Sequence, residues 1–393
     1  MKIGITTFWN SSDNYGQQLQ CYALQTLLRS WGHDAFLIRY APVVEYKLTT
    51  RQKVVNYIKH PSLLVDYILH YLPIDTKDKR EAREEKRLKQ INDTLNPKRE
   101  FEKFREKNLN ITPLVYHSYK ELKENPPMAD VYITGSDQVW HYPYDNDAVY
   151  GFFLQFGNEK AIRISYAASI GRALLKKELP VFKMFLKGFD AISVREQSAC
   201  DLCIEQGYKA QVCIDPTMLL PVDNYKEMAH TPQGNERYAF FYVLNVRKPE
   251  EFCLNKIKEY LDNEGLSIKY VNGSGYCQAR ELIENNTSLQ ANIPEWIGFI
   301  ENAQCVFTTS FHGTVFSILM HRPFLTIGLQ GKHSSSNTRM VQLLEYLGIP
   351  ERMLDPQKPI CEQMESPINW TKVDERITTL KMSSIDFLRI NIG

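Results

Sequence analysis

Apolar positions along this chain follow two periods in alternation, and the alternation predicts its elements. Residues 2–8 place Ile3 and Ile5 at every second position among β-branched neighbours, the pattern of a strand, and run into a polar loop, Trp9-Asn10-Ser11-Ser12-Asp13-Asn14-Tyr15-Gly16. From 17 to 31 the period becomes helical, with Leu19, Tyr22, Ala23, Thr26 and Leu27 recurring on one face and Gly32 as the stop. A strand at 34–40 follows. Strand, helix and strand in close succession make a βαβ unit, the opening of a parallel sheet whose ligand loops leave the carboxyl ends of the strands.

Residues 42–127 break this rhythm. Helical patterning and a charge run that starts at Asp75-Thr76-Lys77-Asp78-Lys79-Arg80-Glu81 mix both signs at helical spacing, so a helical insertion spanning about 43–127 is expected in the first domain. Residues 54–72 alternate aromatic and aliphatic side chains. They are read as part of that insertion, with contact at a membrane surface as the alternative. Short apolar strands are then expected at 130–134, 162–168, 191–195 and 212–216, as in a sheet buried on both faces. The connection at 221–237 carries Pro232 and Gly234 and places the boundary between an α/β domain at 1–230 and a second at 236–355. In the second, strands at 238–244, 267–271, 305–309 and 323–327 alternate with helices at 250–263, 293–302 and 314–320. A final segment, 356–393, ends in an amphipathic helix at 371–392 expected to pack back on the first domain. Two parallel α/β domains facing each other leave a cleft between their loop ends, where a small ligand would bind.

Composition changes this picture little. The 393 residues are 43% hydrophobic and 24% charged, ordinary for a folded chain of two domains. Lys and Arg total 47 against 46 Asp and Glu, so no net field would gather nucleic acid. No stretch has the roughly 18 apolar residues of a membrane span, and the beginning MKIGITTFW lacks a signal-peptide pattern, so a cytoplasmic location is expected. The eight cysteines are scattered. Cys200 and Cys203 have the spacing of half a zinc site, but no second pair or neighbouring His completes it, and their segment reads as a helix with apolar residues turned inward. No metal site and no bound cofactor are expected: HExxH, EF-hand, GxGxxG, GxxxxGK[ST] and GxSxG patterns are all absent.

Candidate chemistry collects in the loops after strands. His312 stands in a polar loop before a helix that opens with Gly313 and Thr314. Free N–H groups there favour an anion, and a His beside it can act as a general acid; a His hydrogen-bonded into the structure is the alternative. Ser310, Gly313 and Thr314 are candidate contacts for the same anion, with Gly313 allowing close approach. Asp137, in Gly135-Ser136-Asp137, would point into the cleft to take a hydroxyl proton or bind a sugar, unless it caps the following turn. Asn14, Tyr15, Gly16 and Gln18 follow the first strand. Amide and aromatic groups there suit sugar hydroxyls and ring faces, with an ordinary turn as the other reading. Arg195, Lys332 and Arg339 are the cations available to an anionic ligand.

These segments, taken in order, resemble the polysaccharide pyruvyl transferase family over nearly the whole chain. The resemblance rests on Asn14-Tyr15-Gly16-Gln17-Gln18-Leu19-Gln20-Cys21-Tyr22-Ala23-Leu24-Gln25 and Ile133-Thr134-Gly135-Ser136-Asp137-Gln138-Val139-Trp140. It continues through Ser165-Tyr166-Ala167-Ala168-Ser169, Ser193-Val194-Arg195-Glu196, Asp215-Pro216-Thr217 and Thr309-Ser310-Phe311-His312-Gly313-Thr314. It implies a GT-B-like fold of two Rossmann-like domains. It also implies transfer of pyruvate from phosphoenolpyruvate, as co-substrate, to two hydroxyls of a sugar in a glycan or lipid-linked precursor, forming a ketal. His312 matches the family's second-domain histidine, expected as general acid, and Arg195 a first-domain arginine used on the donor. The family pattern has an Arg two residues before the histidine, where this chain has Ser310; donor charge would then fall to Arg195, Lys332 or Arg339. The alternatives are a glycosyltransferase using a nucleotide sugar and a non-catalytic glycan-binding protein of polysaccharide assembly.

Overall fold

The computed structural model describes residues 1–42, 90, 94, 96–141, 146–246, 249–273, 288–330, 334 and 337–393. Two sheets, each parallel throughout, organise the chain. The first has strands β1 (Lys2–Thr6), β2 (Asp34–Tyr40), β3 (Ile111–Tyr116), β4 (Val131–Thr134), β5 (Ile162–Ala168), β6 (Ala191–Val194) and β7 (Gln211–Val212) in the order β3-β2-β1-β4-β5-β6-β7. The second has β8 (Tyr238–Val243), β9 (Ser267–Asn272), β10 (Cys305–Thr308) and β11 (Phe324–Thr326) in the order β11-β10-β8-β9. Both are Rossmann-like, and each reverses its strand order at one point, between β1 and β4 in the first and between β8 and β10 in the second. Crevices for ligands open at such points.

Helices of two turns or more are α1 (Tyr15–Ser30), α2 (Phe101–Asn108), α3 (Leu179–Leu186), α4 (Gln197–Glu205), α5 (Leu254–Glu264), α6 (Ile293–Asn302), α7 (Phe311–Leu319), α8 (Asn337–Leu347) and α9 (Trp370–Ile392). Local chemistry starts several of them. Asn14 caps α1 by accepting from the Gln17 N–H, and Asn292 with Glu295 forms a capping box on α6, with Pro294 in its first turn. None of the described helices is long and apolar enough to cross a membrane.

The central strands are apolar on both faces, as in a parallel sheet covered on both sides. β4 and β8 are buried at every position. Tyr15 of α1 joins the two halves of the molecule. Its ring stacks on Trp296 of α6 at 5.2 Å, lies edge-on to Tyr242 of β8, and its hydroxyl donates to the Ala291 carbonyl at 2.7 Å. Arg99, 2% exposed, reaches from the first half to donate to the Asn272 carbonyl at 2.7 Å, to Asn272 Oδ1 at 2.8 Å and to Gln290 Oε1 at 3.0 Å. The final helix, α9, lies against the first sheet: Ser384 Oγ accepts from the Ile214 N–H at 3.1 Å, and Arg389 lies over the Trp31 ring.

Four expectations are corrected here. The strand expected at 212–216 is only Gln211–Val212, because Asp215 caps a 3-10 turn at Pro216–Met218. Residues 111–116 fall within the stretch expected to be a helical insertion, yet they form β3. Ile111, Thr112, Val115 and Tyr116 are β-branched or aromatic, and Pro113 is tolerated because β3 is an edge strand. Residues 43–89, which carry most of that insertion and the candidate membrane contact at 54–72, lie outside the described residues. The helix expected at 250–263 begins only at Leu254, because Cys253 adopts φ 57° and separates it from a 3-10 turn, Pro249–Phe252. The helix expected at 314–320 begins at Phe311. His312 is therefore a residue of its first turn and not of a loop, with Ser310 as the cap. Cys200 and Cys203 are core residues of α4, the Cys203 thiol pushed up to about 12 by burial, and no group of three potential metal ligands occurs among the described residues.

Candidate active site

The two reversal points face each other, and the loops that leave them build one cluster. After β4 the chain turns at Gly135, φ 109°, where a Cβ would lie 2.2 Å from the Tyr166 carbonyl; only glycine fits. The turn is tied to the loop after β1 by Thr7 Oγ1, which donates to the Ser136 carbonyl at 2.9 Å. It leaves Asp137 at φ 69° with its side chain 13% exposed, and Asp137 Oδ1 accepts from the Gln138 N–H at 2.8 Å.

Asp215 is the hub. It lies just beyond β7 and caps the short turn Pro216–Met218, with Oδ1 accepting from the Thr217 N–H at 3.1 Å and from Thr217 Oγ1 at 2.7 Å. Its Oδ2 accepts from Arg195 Nη1 at 2.8 Å and from Ser136 Oγ at 2.9 Å, and lies 3.6 Å from His312 Nε2. Burial works to raise its pKa. The nearby His312, the charge of Arg195 and the hydrogen bonds of Thr217 outweigh it and hold the carboxyl well below the usual range, so Asp215 is an ionised, 1% exposed carboxylate.

Arg195 follows β6 and is held by that carboxylate and by the ring of Phe311, 4.6 Å from the guanidinium carbon. Its Nε and Nη2 are buried and have no hydrogen-bond partner, with Nη2 3.8 Å from Asp137 Oδ1. His312 comes from the other half of the molecule. A Cβ on Gly16 would lie 2.0 Å from His312 Nδ1, so the imidazole rests directly on the first turn of α1, and its buried Nε2 has no hydrogen-bond partner. Three N–H-bearing atoms on two basic side chains are thus left unpaired beside one carboxylate. Buried polar groups are rarely left so, and an anion with several acceptor oxygens would satisfy them.

Of the residues expected from the sequence, the fold brings His312, Arg195 and Asp137 together. Arg339, on α8, lies half-buried over the Phe311 ring at 5.9 Å. Burial and the Arg195 charge push its pKa down to about 10, which leaves it cationic at neutral pH, and its Nε is unpartnered. A cavity of about 330 Å³ lies against Arg195, Asp215, Phe311, Arg339 and Gln342. Lys332 lies outside the described residues.

Other candidates turn out to shape the site through contacts within the chain. Ser310 accepts from the Gly313 N–H as the cap of α7; Thr314 Oγ1 bonds the Ser310 carbonyl and Thr326 Oγ1; a Cβ on Gly313 would lie 2.2 Å from Thr308 Oγ1. Tyr15 and Gln18, expected at an acceptor surface, are fully buried. Tyr15 is spent on the contact between domains, and Gln18 Nε2 donates to the Trp9 carbonyl at 2.6 Å. Asn14 is occupied as the cap of α1, and Gly16 serves as the floor under His312. Asp215, Ser136 and Phe311 were not among the candidates. The one available signal was Asp-Pro-Thr directly after the last strand of the first sheet.

A family model of polysaccharide pyruvyl transferases matches residues 14–331. Comparison with curated proteins gives no match. Among solved structures, the chain is similar to UDP-GlcNAc 2-epimerase from Methanocaldococcus jannaschii at 11% identity, covering 96% of this chain and 92% of that one with a TM-score of 0.45. It is similar to S. aureus MnaA in its co-structure with UDP at 12% identity, covering 98% and 91% with a TM-score of 0.47. The Neisseria meningitidis UDP-GlcNAc 2-epimerase bound to UDP-GlcNAc aligns at 9% identity over 98% and 100% of the two chains, with a TM-score of 0.45.

Proposed function

The chain belongs to the polysaccharide pyruvyl transferase family, and from that premise we propose that it transfers pyruvate from phosphoenolpyruvate to two hydroxyls of a sugar in a glycan or lipid-linked precursor. The observation that carries this reading is the meeting of Arg195 and His312, from opposite halves of the molecule, on the buried carboxylate of Asp215 with their remaining donors unpaired. The Nε and Nη2 of Arg195 suit paired oxygens of the donor's carboxylate or phosphate, and Arg339 supplies a second cation on the same side of Phe311. Ser310, a cap, supplies no such charge.

His312 Nε2 gives a proton to the methylene carbon of phosphoenolpyruvate, which leaves the adjacent carbon electrophilic. A sugar hydroxyl oxygen bonds to that carbon and loses its proton, with Asp137 as the acceptor. The carbon–oxygen bond to phosphate then breaks, the second hydroxyl takes its place, and phosphate leaves with the second proton. Two hydroxyl protons go in, one to the new methyl group and one to phosphate, and a ketal remains. No metal or electron carrier is needed for that balance.

The test compares thermal stabilisation by phosphoenolpyruvate, inorganic phosphate and nucleotide sugars. A ligand at a hundred times its dissociation constant should stabilise by about 2.7 kcal/mol. Phosphoenolpyruvate is expected to stabilise the wild type and to do so weakly in Arg195→Ala. His312→Ala is expected to keep its circular dichroism and to lose about 100-fold or more in turnover. Stabilisation by a nucleotide sugar alone would favour glycosyl transfer, and undiminished turnover in His312→Ala would remove it from the reaction.

A further inference from the structure

A second recess, of about 560 Å³, lies beside the cluster just described, between the loop at 170–174 and α4 on one side and Thr338 and Arg339 on the other. Arg339 lines both cavities. The backbone also divides between them: Arg195 and Gln197 line the first and Glu196 and Ser198 the second, so neighbouring residues serve opposite sides of one wall. Glu196 is 4% exposed. Its Oε1 accepts from Ser169 Oγ at 3.0 Å, from the Ile170 N–H at 2.9 Å and from the Gly171 N–H at 3.3 Å, which fixes the carboxyl in place. Its Oε2 is buried and has no hydrogen-bond partner.

The unpaired groups on the two sides differ in kind. On the Arg195 side they are donors on basic side chains, which favour an anion. On the Glu196 side the unpaired atom of the first domain is a carboxylate oxygen, which would repel the phosphate and carboxylate of phosphoenolpyruvate and needs a donor. Asp201 and Glu205, on the same recess, add negative charge; of its two arginines, Arg172 is paired with Glu178 and Arg339 is shared with the first cavity. A neutral ligand rich in hydroxyls meets that need, and the recess lies within the range of roughly 300–1,000 Å³ typical of small-ligand sites.

We infer that this recess holds the acceptor sugar, with Glu196 Oε2 accepting a hydrogen bond from one of its hydroxyls, so that Arg339 stands between acceptor and donor. The inference rests on the reading of the chain as a pyruvyl transferase, and Glu196 is assigned as a positioning residue for the acceptor.

The probes are methyl glycosides of glucose, galactose and mannose, observed by saturation-transfer NMR with the full chain and without donor. Two variants address the recess. Glu196→Gln keeps the shape and an oxygen for the backbone contacts but weakens the acceptor, and Ser198→Trp fills the recess from an exposed position on α4. At least one glycoside is expected to bind the wild type, to be lost in Ser198→Trp and to weaken about tenfold in Glu196→Gln, the range of one hydrogen bond to a charged group. Phosphoenolpyruvate is expected to stabilise both variants as it does the wild type. Glycoside binding that survives in both variants, or absence of glycoside binding in the wild type, overturns the assignment. Failure of phosphoenolpyruvate to stabilise the wild type would instead sink the donor reading and leave the glycoside result to decide the recess separately.

Discussion

Asp215 illustrates how much one buried charge can decide. Its carboxylate receives Thr217 twice and Arg195 and Ser136 once each, and sits 3.6 Å from His312, so removing its charge leaves two buried basic groups without their shared carboxylate. Breaking a buried pair in this way costs about 3–5 kcal/mol, and Asp215→Asn is expected to lose that much at pH 7. The pH dependence follows from the depressed folded-state pKa. The contribution is complete above the unfolded-chain value of about 3.9 and is lost as pH falls below it toward the folded value. Wild type and Asp215→Asn should therefore differ widely in Tm at pH 7, with the gap constant down to about pH 5 and narrower by about 1 kcal/mol at pH 3. A gap that stays constant down to pH 3 would show that the charge is not what stabilises. At this scale the sequence was partly legible. His312 and Arg195 stood out as basic residues after strands, whereas Asp215 was read as part of a strand at 212–216, because its role is set by Ser136, Arg195 and His312 from distant parts of the chain.

At the scale of elements, the position of His312 depends on where two helices begin. α7 starts at Phe311 because Ser310 caps it, and α1 presents Gly16 in its first turn beneath the imidazole. Gly16→Ala would force a Cβ to within 2.0 Å of His312 Nδ1, so the ring must move or the helices must part. A displacement of about 1 Å at a reacting group can cost 100-fold. Gly16→Ala is accordingly expected to lower turnover by about that factor while circular dichroism stays that of the wild type; unchanged turnover would show that the contact does not position His312. Elements with strong periodicity were readable in advance, as α6 and β5 were, at the bounds observed. β3 was hidden in a stretch dominated by charge, and the starts of α5 and α7 moved because Cys253 at positive φ and the Ser310 cap act on the backbone, which hydrophobic period does not report.

For the whole molecule, the site exists only while the two sheets face each other, and buried polar contacts hold them so. Arg99 donates three hydrogen bonds across the boundary to Asn272 and Gln290, next to the aromatic cluster of Tyr15, Trp296 and Tyr242. Arg99→Ala leaves buried acceptors unpaired, at a cost on the order of 3 kcal/mol. It is expected to lower the denaturant midpoint and to raise the radius of gyration in solution scattering as the halves separate. An unchanged radius together with unchanged stability would assign the contact no part in closure. α9 adds a second tie, since Ser384 bonds the Ile214 N–H one residue before Asp215 and so links the last helix to the hub of the site.

The sequence by itself determined what depends on neighbours within a few residues: strands and helices from their periods, the alternation that makes both sheets parallel, and the placing of His312, Arg195 and Asp137 after strand ends. Only the tertiary structure decided that His312 and Arg195 share one carboxylate, that Tyr15 and Gln18 are interior, and that Glu196 lines a second recess while its neighbour Arg195 lines the first. Those outcomes depend on strand order and on the closing of one sheet against another. Contacts between residues far apart in the chain leave no trace in a local pattern, because the energy of a buried charge or an unpaired donor is set by whatever the fold brings beside it.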